Sequence, residues 1–198
     1  MRIIAGSLRS RTLQAPPGLA TRPTTDRLRE TLFNVLAPRI QGAAFLDLYA
    51  GSGAVGIEAL SRGAASVVFV ERAPAALSVL RANLARLGLT AGFRIHAASV
   101  GAFLRKPRVG FPSNFDLVFL DPPYDAEKEY ADALGLLGGA SAGLLAAGAL
   151  VVAEHRKKER LEEKYGSLER TRMLEQGDAA WSFFAAGVQP WYRDSMIS

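Results

Sequence analysis

Five short apolar runs alternate with longer segments of helical periodicity along this chain. Runs rich in β-branched and aromatic residues are typical of buried strands, whereas apolar positions three or four residues apart indicate helices. Strands that alternate with helices favour parallel pairing in a βαβ framework. The predicted strands are Phe45–Leu48, Val67–Val70, Phe93–Ile95, Phe115–Leu120 and Ala149–Glu154.

The segments between these strands carry the helical pattern. Thr24 or Thr25 can cap a helix in which Leu28, Leu32 and Leu36 share one face. We expect this helix to lie against the edge of the sheet. Further helices are predicted over Pro74–Leu87 and Glu127–Leu137, with a short one within 97–104.

The last part of the chain has a different pattern. Two loosely alternating segments, 167–174 and 180–186, flank Gln176-Gly177-Asp178 and predict a closing hairpin. The predicted fold class is therefore α/β, with a mostly parallel seven-stranded sheet, an antiparallel C-terminal hairpin and helices on both faces.

The length of 198 residues suits a single domain. Before the predicted core, Arg2–Ala5 can pair with Thr12–Ala15 as a small hairpin, and Pro16-Pro17-Gly18 breaks the chain. We divide the domain into a basic N-terminal extension (1–22), a catalytic core (23–187) and a tail (188–198).

The apolar pattern also bears on location. The longest apolar stretch, Ala142–Ala153, is far shorter than the roughly 18 residues that a membrane span needs. The apolar run within residues 1–7 is too short for a secretory signal. The chain contains no cysteine, which excludes a disulfide scaffold. We expect a cytoplasmic protein with no membrane partner.

Positive charge is concentrated near the N-terminus. The formal charge is +5, and residues 1–30 hold six arginines and no lysine against two acidic residues. Guanidinium groups suit planar, bidentate contacts with phosphates and stacking on bases, although a solvated arm would have the same composition. The predicted nucleic-acid contacts are Arg2, Arg9, Arg11, Arg22 and Arg27.

Asp121-Pro122-Pro123-Tyr124 directly follows a predicted strand. The two prolines hold the carbonyls of Asp121 and Pro122 in fixed directions, so two acceptors can face one amino group. Accepting both hydrogens of an exocyclic amine localises its lone pair, and Tyr124 offers a flat stacking surface. A tight turn with a stacked tyrosine is the simpler interpretation of this motif alone.

A glycine-rich turn follows the first predicted strand. Gly51 and Gly53 allow close backbone approach to a ligand, and the following helix directs N–H groups towards it. Glu71, twenty positions after Gly51 at the end of the next strand, can accept hydrogen bonds from both ribose hydroxyls. The unit is typical of nucleoside binding.

This pattern does not decide which nucleoside-containing ligand binds, because residues 51–56 also match the dinucleotide fingerprint G-x-G-x-x-G of NAD-dependent oxidoreductases. Asp47 argues against that class, since a carboxylate before the turn would repel a pyrophosphate but suit a cationic ligand with an amino-acid tail. The Asp-Pro-Pro-Tyr motif likewise has no role in hydride transfer.

Taken together, these motifs resemble an S-adenosylmethionine-dependent methyltransferase of the Rossmann-like class that acts on an exocyclic amino group. The resemblance narrows to the RsmD family over residues 2 to about 187. Arg2–Gly6, Pro16–Gly18, Arg22–Arg27 and Glu30–Phe33 are similar to its N-terminal signature, and Gly177-Asp178 with Ser182-Phe183 to its last hairpin. Those enzymes methylate guanine N2 of small-subunit (16S) ribosomal RNA, at position 966 in the usual RNA numbering.

The resemblance implies S-adenosyl-L-methionine as cofactor and a set of site residues. Family members often carry an acidic residue after the third strand to accept from the adenine amino group, and Ser99 stands there in this chain. The implied catalytic residues are Asp121, Pro122 and Tyr124, and the implied cofactor-binding residues are Asp47, Ala50, Gly51, Ser52, Gly53, Glu71, Arg72, Ser99 and Asp121.

The implied partner is 16S rRNA within the small ribosomal subunit or an assembly intermediate, and we expect a monomer. No metal is expected, because the only histidines, His96 and His155, are not spaced as ligands. Three alternatives stay open: a DNA adenine-N6 or cytosine-N4 methyltransferase, a protein-glutamine methyltransferase, which more usually has asparagine at position 121, and a noncatalytic RNA-binding module.

Overall fold

Eight strands form one sheet in the computed structural model, which describes residues 1–15, 26–106, 114–123 and 127–187. The order across the sheet is β3-β2-β1-β4-β5-β8-β7-β6, with β1 to β5 parallel and the rest antiparallel. The strands are β1 (Ala44–Leu48), β2 (Ser66–Glu71), β3 (Phe93–Ala97), β4 (Phe115–Leu120), β5 (Leu145–Arg156), β6 (Lys164–Tyr165), β7 (Leu168–Gln176) and β8 (Ala179–Ala186).

The parallel half and the closing hairpin of the predicted sheet are confirmed. The described part of the chain has one strand more than the seven predicted, because the two-residue β6 pairs with β7 at the outer edge. The prediction for β5 was too short, since that strand begins at Leu145 and pairs with Phe115 before a register shift.

Helices cover both faces of the sheet, as predicted. They are α1 (Asp26–Ile40), α2 (Ala54–Ser61), α3 (Pro74–Arg86), α4 (Val100–Arg105) and α5 (Glu127–Leu137), with a 3-10 turn over Ala142–Leu144. Helices α1, α2 and α3 pack in one core cluster, and α4 and α5 in the other. None of the helices in the described ranges is long and apolar enough to cross a membrane.

Helix α1 lies on a face of the sheet, so the expectation that it lies at the edge was wrong. Its fully buried Leu32 and Phe33 belong to the same cluster as Phe45 of β1 and Phe119 of β4, which are central strands. Each such buried side chain contributes on the order of 1.5 to 3 kcal/mol. The helix therefore passes over the middle of the sheet.

Alternation of side chains between the two faces of the sheet places several carboxylates on one face, at the carboxyl ends of the parallel strands. Asp47 of β1 pairs in register with Phe119 of β4, and Leu120 pairs with Ala153 of β5. Asp121 and Glu154 therefore follow side by side on the face that carries Asp47. The carboxyl ends of parallel strands form the crevice where ligands bind in open α/β sheets.

The N-terminal extension forms a hairpin, but its register differs from the predicted pairing of Arg2–Ala5 with Thr12–Ala15: one antiparallel bridge joins Arg2 to Thr12. Its attachment depends on Glu58 of α2, whose side chain is fully buried. That carboxylate accepts the backbone N–H groups of Ile4 at 2.8 Å and Ala5 at 3.0 Å. Hydrogen bonds to a buried charge are among the strong ones, so the hairpin is held firmly on α2.

Candidate active site

The glycine turn after β1 has the backbone geometry that only glycine adopts easily. Gly51 has φ 56° and Gly53 has φ 81°, both in the left-handed region. A Cβ at Gly51 would meet only the carbonyl oxygen of Tyr49, at 3.9 Å, so that position faces open space. A Cβ at Gly53 would lie 2.3 Å from Leu80 Cδ1, so this glycine is needed for packing. A ligand can thus approach the backbone at Gly51.

Asp47 lies beneath this turn, almost fully buried. Its Oδ2 accepts the backbone N–H of Gly56 at 2.9 Å, which ties β1 to the start of α2. Burial raises the pKa of Asp47 to about 7, with the charge of Glu71 adding to the effect and the Gly56 hydrogen bond opposing it. A cation bound at the turn would favour the ionised form of this carboxyl.

Glu71 ends β2 and faces the same turn. Its Oε2 accepts the N–H of Gly51 at 2.9 Å, and its Oε1 accepts those of Arg72 and Ala73, both at 2.8 Å. A carboxylate has about four acceptor positions, so one remains, on Oε2. The expectation that Glu71 accepts from two ribose hydroxyls is therefore reduced to one hydroxyl in this arrangement.

Asp121 follows β4 at the edge of the crevice and is partly exposed, whereas Pro122 is buried and Pro123 exposed. Burial of the carboxyl raises the pKa of Asp121 well above its usual range, and the negative charges of Glu154 and Asp47 raise it further. Tyr124, the fourth residue of the motif, lies outside the described residues.

Ser99 and Arg72 are the least distinctive of the predicted cofactor contacts. Ser99 caps α4, because its Oγ accepts the N–H of Ala102 at 3.3 Å. Arg72 is exposed, and its described contact is the backbone donation to Glu71. Of the other predicted residues, Ala50 donates its N–H to Val70, and Ser52 accepts through its carbonyl from Asn83.

The predicted RNA contacts are not gathered at one place. Arg9 lies in a turn whose Ser7 N–H donates to the Ser61 carbonyl, at the C-terminal end of α2. The eight-residue α2 is about 12 Å long, so Arg9 is at the opposite end of that helix from the glycine turn. Arg2 pairs with Asp26 at 3.2 Å. Arg11 and Arg27 are exposed, and Arg22 lies outside the described residues.

Comparison with known proteins agrees with this architecture. A model of the family described as Conserved hypothetical protein 95 matches residues 1–185. The chain belongs to this family. Ribosomal RNA small subunit methyltransferase D of Escherichia coli K12 is 47% identical over 124 residues, which are 63% of this chain and 60% of that relative. The resemblance to the RsmD family that the sequence motifs indicated is confirmed.

Two other relatives match over most of their length. YlbH of Bacillus subtilis is 39% identical, and the match covers 87% of this chain and 91% of YlbH. The solved structure of yhhF from Escherichia coli superposes with a TM-score of 0.81 at 35% identity, covering 96% of this chain and 99% of that chain. The family fold is thus shared from the N-terminal hairpin to the closing strands.

Both histidines have structural surroundings in this member of the family. His155 is buried, with Nε2 2.9 Å from Ser182 Oγ and Nδ1 2.9 Å from the Arg156 carbonyl oxygen, and burial lowers its pKa. His96 packs edge to face with Phe103. Among the described residues, no group of three or more acidic, histidine or cysteine side chains could hold a metal ion.

The sequence pattern did not single out Tyr49, which precedes the glycine turn. Its φ of 63° is in the left-handed region, unusual for a residue with a side chain. Its hydroxyl donates to Glu129 Oε2 of α5 at 2.6 Å, so the strained residue is held from the opposite face of the sheet. Strain of this kind collects at functional sites.

Asn83 of α3 was also missed, because a polar residue within an amphipathic helix gives no signal of its own. Its side chain exchanges two hydrogen bonds with the Gln14 backbone, at 2.9 and 3.1 Å. Its Nδ2 also donates to the Ser52 carbonyl oxygen at 2.9 Å. One buried side chain thus joins the N-terminal hairpin to the glycine turn.

Asn83→Ala is expected to lower the free energy of unfolding by about 2 kcal/mol, because the backbone groups of Gln14 and Ser52 lose their hydrogen bonds to the Asn83 side chain. We also expect weaker cofactor binding, since the turn is released on one side. Urea unfolding and calorimetry measure both effects. Asn34→Ala on the exposed side of α1 is the control, and an Asn83 variant as stable as that control would contradict the prediction.

Proposed function

We propose that this protein transfers a methyl group from S-adenosyl-L-methionine to the exocyclic N2 of a guanine in 16S ribosomal RNA. The observation that carries the proposal is the position of Asp121, which directly follows β4 and precedes two rigid prolines. This position lies at the same end of the sheet as the glycine turn and Glu71. An acceptor for an amine and a site for a nucleoside thus share one edge of the sheet. S-adenosyl-L-methionine, when bound, supplies a methyl group activated by a sulfonium charge.

The residues at the turn fit this cofactor. Gly51 leaves open space for close approach, and Glu71 keeps one acceptor position for a ribose hydroxyl. Asp47 provides a negative charge beneath the turn, which suits the sulfonium and ammonium groups. We assign Ala50 to Gly53 to backbone contact, and Arg72 and Ser99 to the ribose and adenine end.

Asp121 and the carbonyl of Pro122 are assigned to hold the guanine N2. Two acceptors on one amino group direct its lone pair towards the methyl carbon, and positioning of this kind can supply much of the rate acceleration. We assign Tyr124 to stack on the base, a contact worth roughly 1 to 3 kcal/mol. The proton that N2 loses passes to Asp121 or to water.

The target base has to leave its RNA context to reach this crevice. Turning it out costs a few kcal/mol, less in a loop than in a duplex. Arg2, Arg9, Arg11, Arg22 and Arg27 are assigned to phosphates of the RNA, with Arg9 at the end of α2 that is far from the glycine turn. We infer that a monomer acts on the small subunit or an assembly intermediate, whose folded RNA can span that distance.

Methyl transfer to different nucleic acids tests the proposal. Labelled S-adenosyl-L-methionine is incubated with the protein and with small-subunit particles, naked 16S rRNA or duplex DNA of equal nucleotide content. We expect label in the particles or the rRNA and none in the DNA. Label in DNA alone would favour the adenine-N6 or cytosine-N4 alternative, and no transfer with intact RNA binding would favour a noncatalytic module.

A further inference from the structure

Glu154 is a buried carboxylate beside Asp121 that the reaction as described leaves unused. It lies near the end of β5, with 6% of its surface exposed. Since Leu120 pairs with Ala153, the next residues of the two strands are neighbours, and adjacent strands are about 4.8 Å apart. Glu154 and Asp121 therefore approach each other on one face at the crevice.

A hydrogen-bond donor and a positive charge both act on the Glu154 carboxylate. The indole N–H of Trp181, a fully buried residue paired with Glu154 across β5 and β8, donates to its Oε2 at 3.1 Å. The guanidinium of Arg29 on α1 is fully buried and its charge acts on Glu154. Within the described part of the chain, Asp121 receives no such donor on its carboxyl.

Among the described residues, the other charges that act on Asp121 are also negative. Asp47 faces it from β1, and Glu159 acts on it from the segment after β5. Arg29 is shared, since Asp26 Oδ1 accepts from its Nη2 at 2.9 Å and the charge of Glu58 also acts on it. An ionised Asp121 would thus add one more negative charge to a partly buried group of carboxylates.

We propose that Glu154 is a positioning residue, whose carboxylate accepts from Trp181 near the charge of Arg29 and keeps the neighbouring Asp121 carboxyl protonated. A neutral Asp121 resembles an amide, because its carbonyl oxygen can accept from the target amine although the carboxyl carries no negative charge. This inference rests on the proposed function for its catalytic meaning. It explains how aspartate could serve at a position where a protein-glutamine methyltransferase more usually has asparagine.

The group-transfer step balances with a neutral Asp121. The N2 lone pair forms the bond to the methyl carbon, and the carbon–sulfur bond breaks with its electron pair on sulfur. The methylated N2 then loses one proton to water. Asp121 and Glu154 keep their protonation states throughout, so both act by orientation and charge.

The ligand-free protein provides a first test that does not depend on activity. The carboxyl carbon of Asp121 is followed by NMR as the pH changes, with Asp121→Asn identifying the resonance. We expect the Asp121 midpoint of Glu154→Gln to fall by about one pH unit or more relative to wild type. Glutamine keeps an acceptor for Trp181 Nε1, so the fold is retained.

Two control variants test whether the shift of the Asp121 midpoint is specific to Glu154. Glu159→Gln is expected to move the Asp121 midpoint less than Glu154→Gln does, because its charge acts on Asp121 more weakly. Glu175→Gln is expected to leave the midpoint in place, since its carboxylate pairs with Lys157 at the surface. A midpoint that stays in place in Glu154→Gln would overturn the proposal.

The pH profile of single-turnover methyl transfer is the second test. A purely structural role for Glu154 lowers the rate of Glu154→Gln by the same factor at every pH. We expect instead that its rate is about tenfold below wild type above neutral pH and recovers on acidification, because Asp121 becomes protonated again. A pH-independent loss would overturn the proposal, whereas a wild-type protein that methylates no RNA would overturn the proposed function.

Discussion

Asp121→Ala is expected to lower the single-turnover rate of methyl transfer by at least about a hundredfold, while the affinity for S-adenosylhomocysteine changes little. The substitution removes the carboxyl that orients the target amine at the end of β4, and the glycine turn and Glu71 stay in place. Rapid-quench transfer to RNA measures the rate, and calorimetry measures the affinity.

Asp116→Ala is the matched control for this variant. Asp116 lies on the same strand but is exposed near its start, where its Oδ2 accepts the Ala44 N–H at 2.8 Å. We expect a rate close to that of the wild type. Methyl transfer retained in Asp121→Ala would remove Asp121 from the reaction, whatever the outcome for the control.

Glu71→Ala should weaken binding of S-adenosylhomocysteine by about ten- to a hundredfold. The variant loses the acceptor proposed for a ribose hydroxyl and leaves the N–H groups of Gly51, Arg72 and Ala73 without their carboxylate. Hydrogen bonds to a charged group are worth roughly 1.5 to 3 kcal/mol, and each 1.4 kcal/mol is tenfold in affinity. Calorimetry on the ligand-free protein gives the dissociation constants.

Glu162→Ala removes an exposed carboxylate from the segment before β6 and serves as the control for Glu71→Ala. Its affinity should equal that of the wild type. Equal affinities in all three proteins would mean that Glu71 only shapes the turn, and the ribose would then have to bind elsewhere in the crevice.

The central elements of the fold could be predicted because their boundaries are chemically marked. β4 (Phe115–Leu120) and α5 (Glu127–Leu137) have the predicted bounds. The prolines after Leu120 cannot donate to a ladder, so they end that strand. The face predicted from Leu28, Leu32 and Leu36 lies within α1, which extends to Ile40 with Pro38 in its last turn.

Other elements had no local signal. β6 has only two residues and no periodicity, so its pairing with β7 depends on the neighbouring strand. The start of β5 contains Gly148, which weakens a strand pattern, and its pairing with β4 includes a register shift. Such features follow from tertiary contacts and cannot be obtained from a short window of sequence.

The candidate site divides in the same way. Short sequence motifs pointed to four of the site residues. Asp47, Gly51 and Glu71 belong to the glycine-turn unit, and Asp121 belongs to the Asp-Pro-Pro-Tyr motif. Glu154 becomes relevant only when β5 is known to lie next to β4, which the strand order decides.

The attachment of the N-terminal hairpin was equally hidden. Glu58 and Asn83 bind backbone groups more than fifty residues away in sequence, and each looks like an ordinary polar position of its helix. The proximity of Arg9 to the end of α2, away from the glycine turn, follows from these long-range bonds. Charge distribution along the sequence therefore indicated contact with nucleic acid but not the arrangement of the contacts.

Nucleoside analysis of the reaction product tests the proposed function most directly. Small-subunit particles or 16S rRNA lacking the modification are treated with the protein and S-adenosyl-L-methionine, digested to nucleosides and separated by mass and retention. We predict one new methylated nucleoside, N2-methylguanosine, which is absent when Asp121→Ala replaces the wild-type protein. A methyl group on adenine, on cytosine or on another atom of guanine would contradict the assignment of Asp121 to the guanine N2.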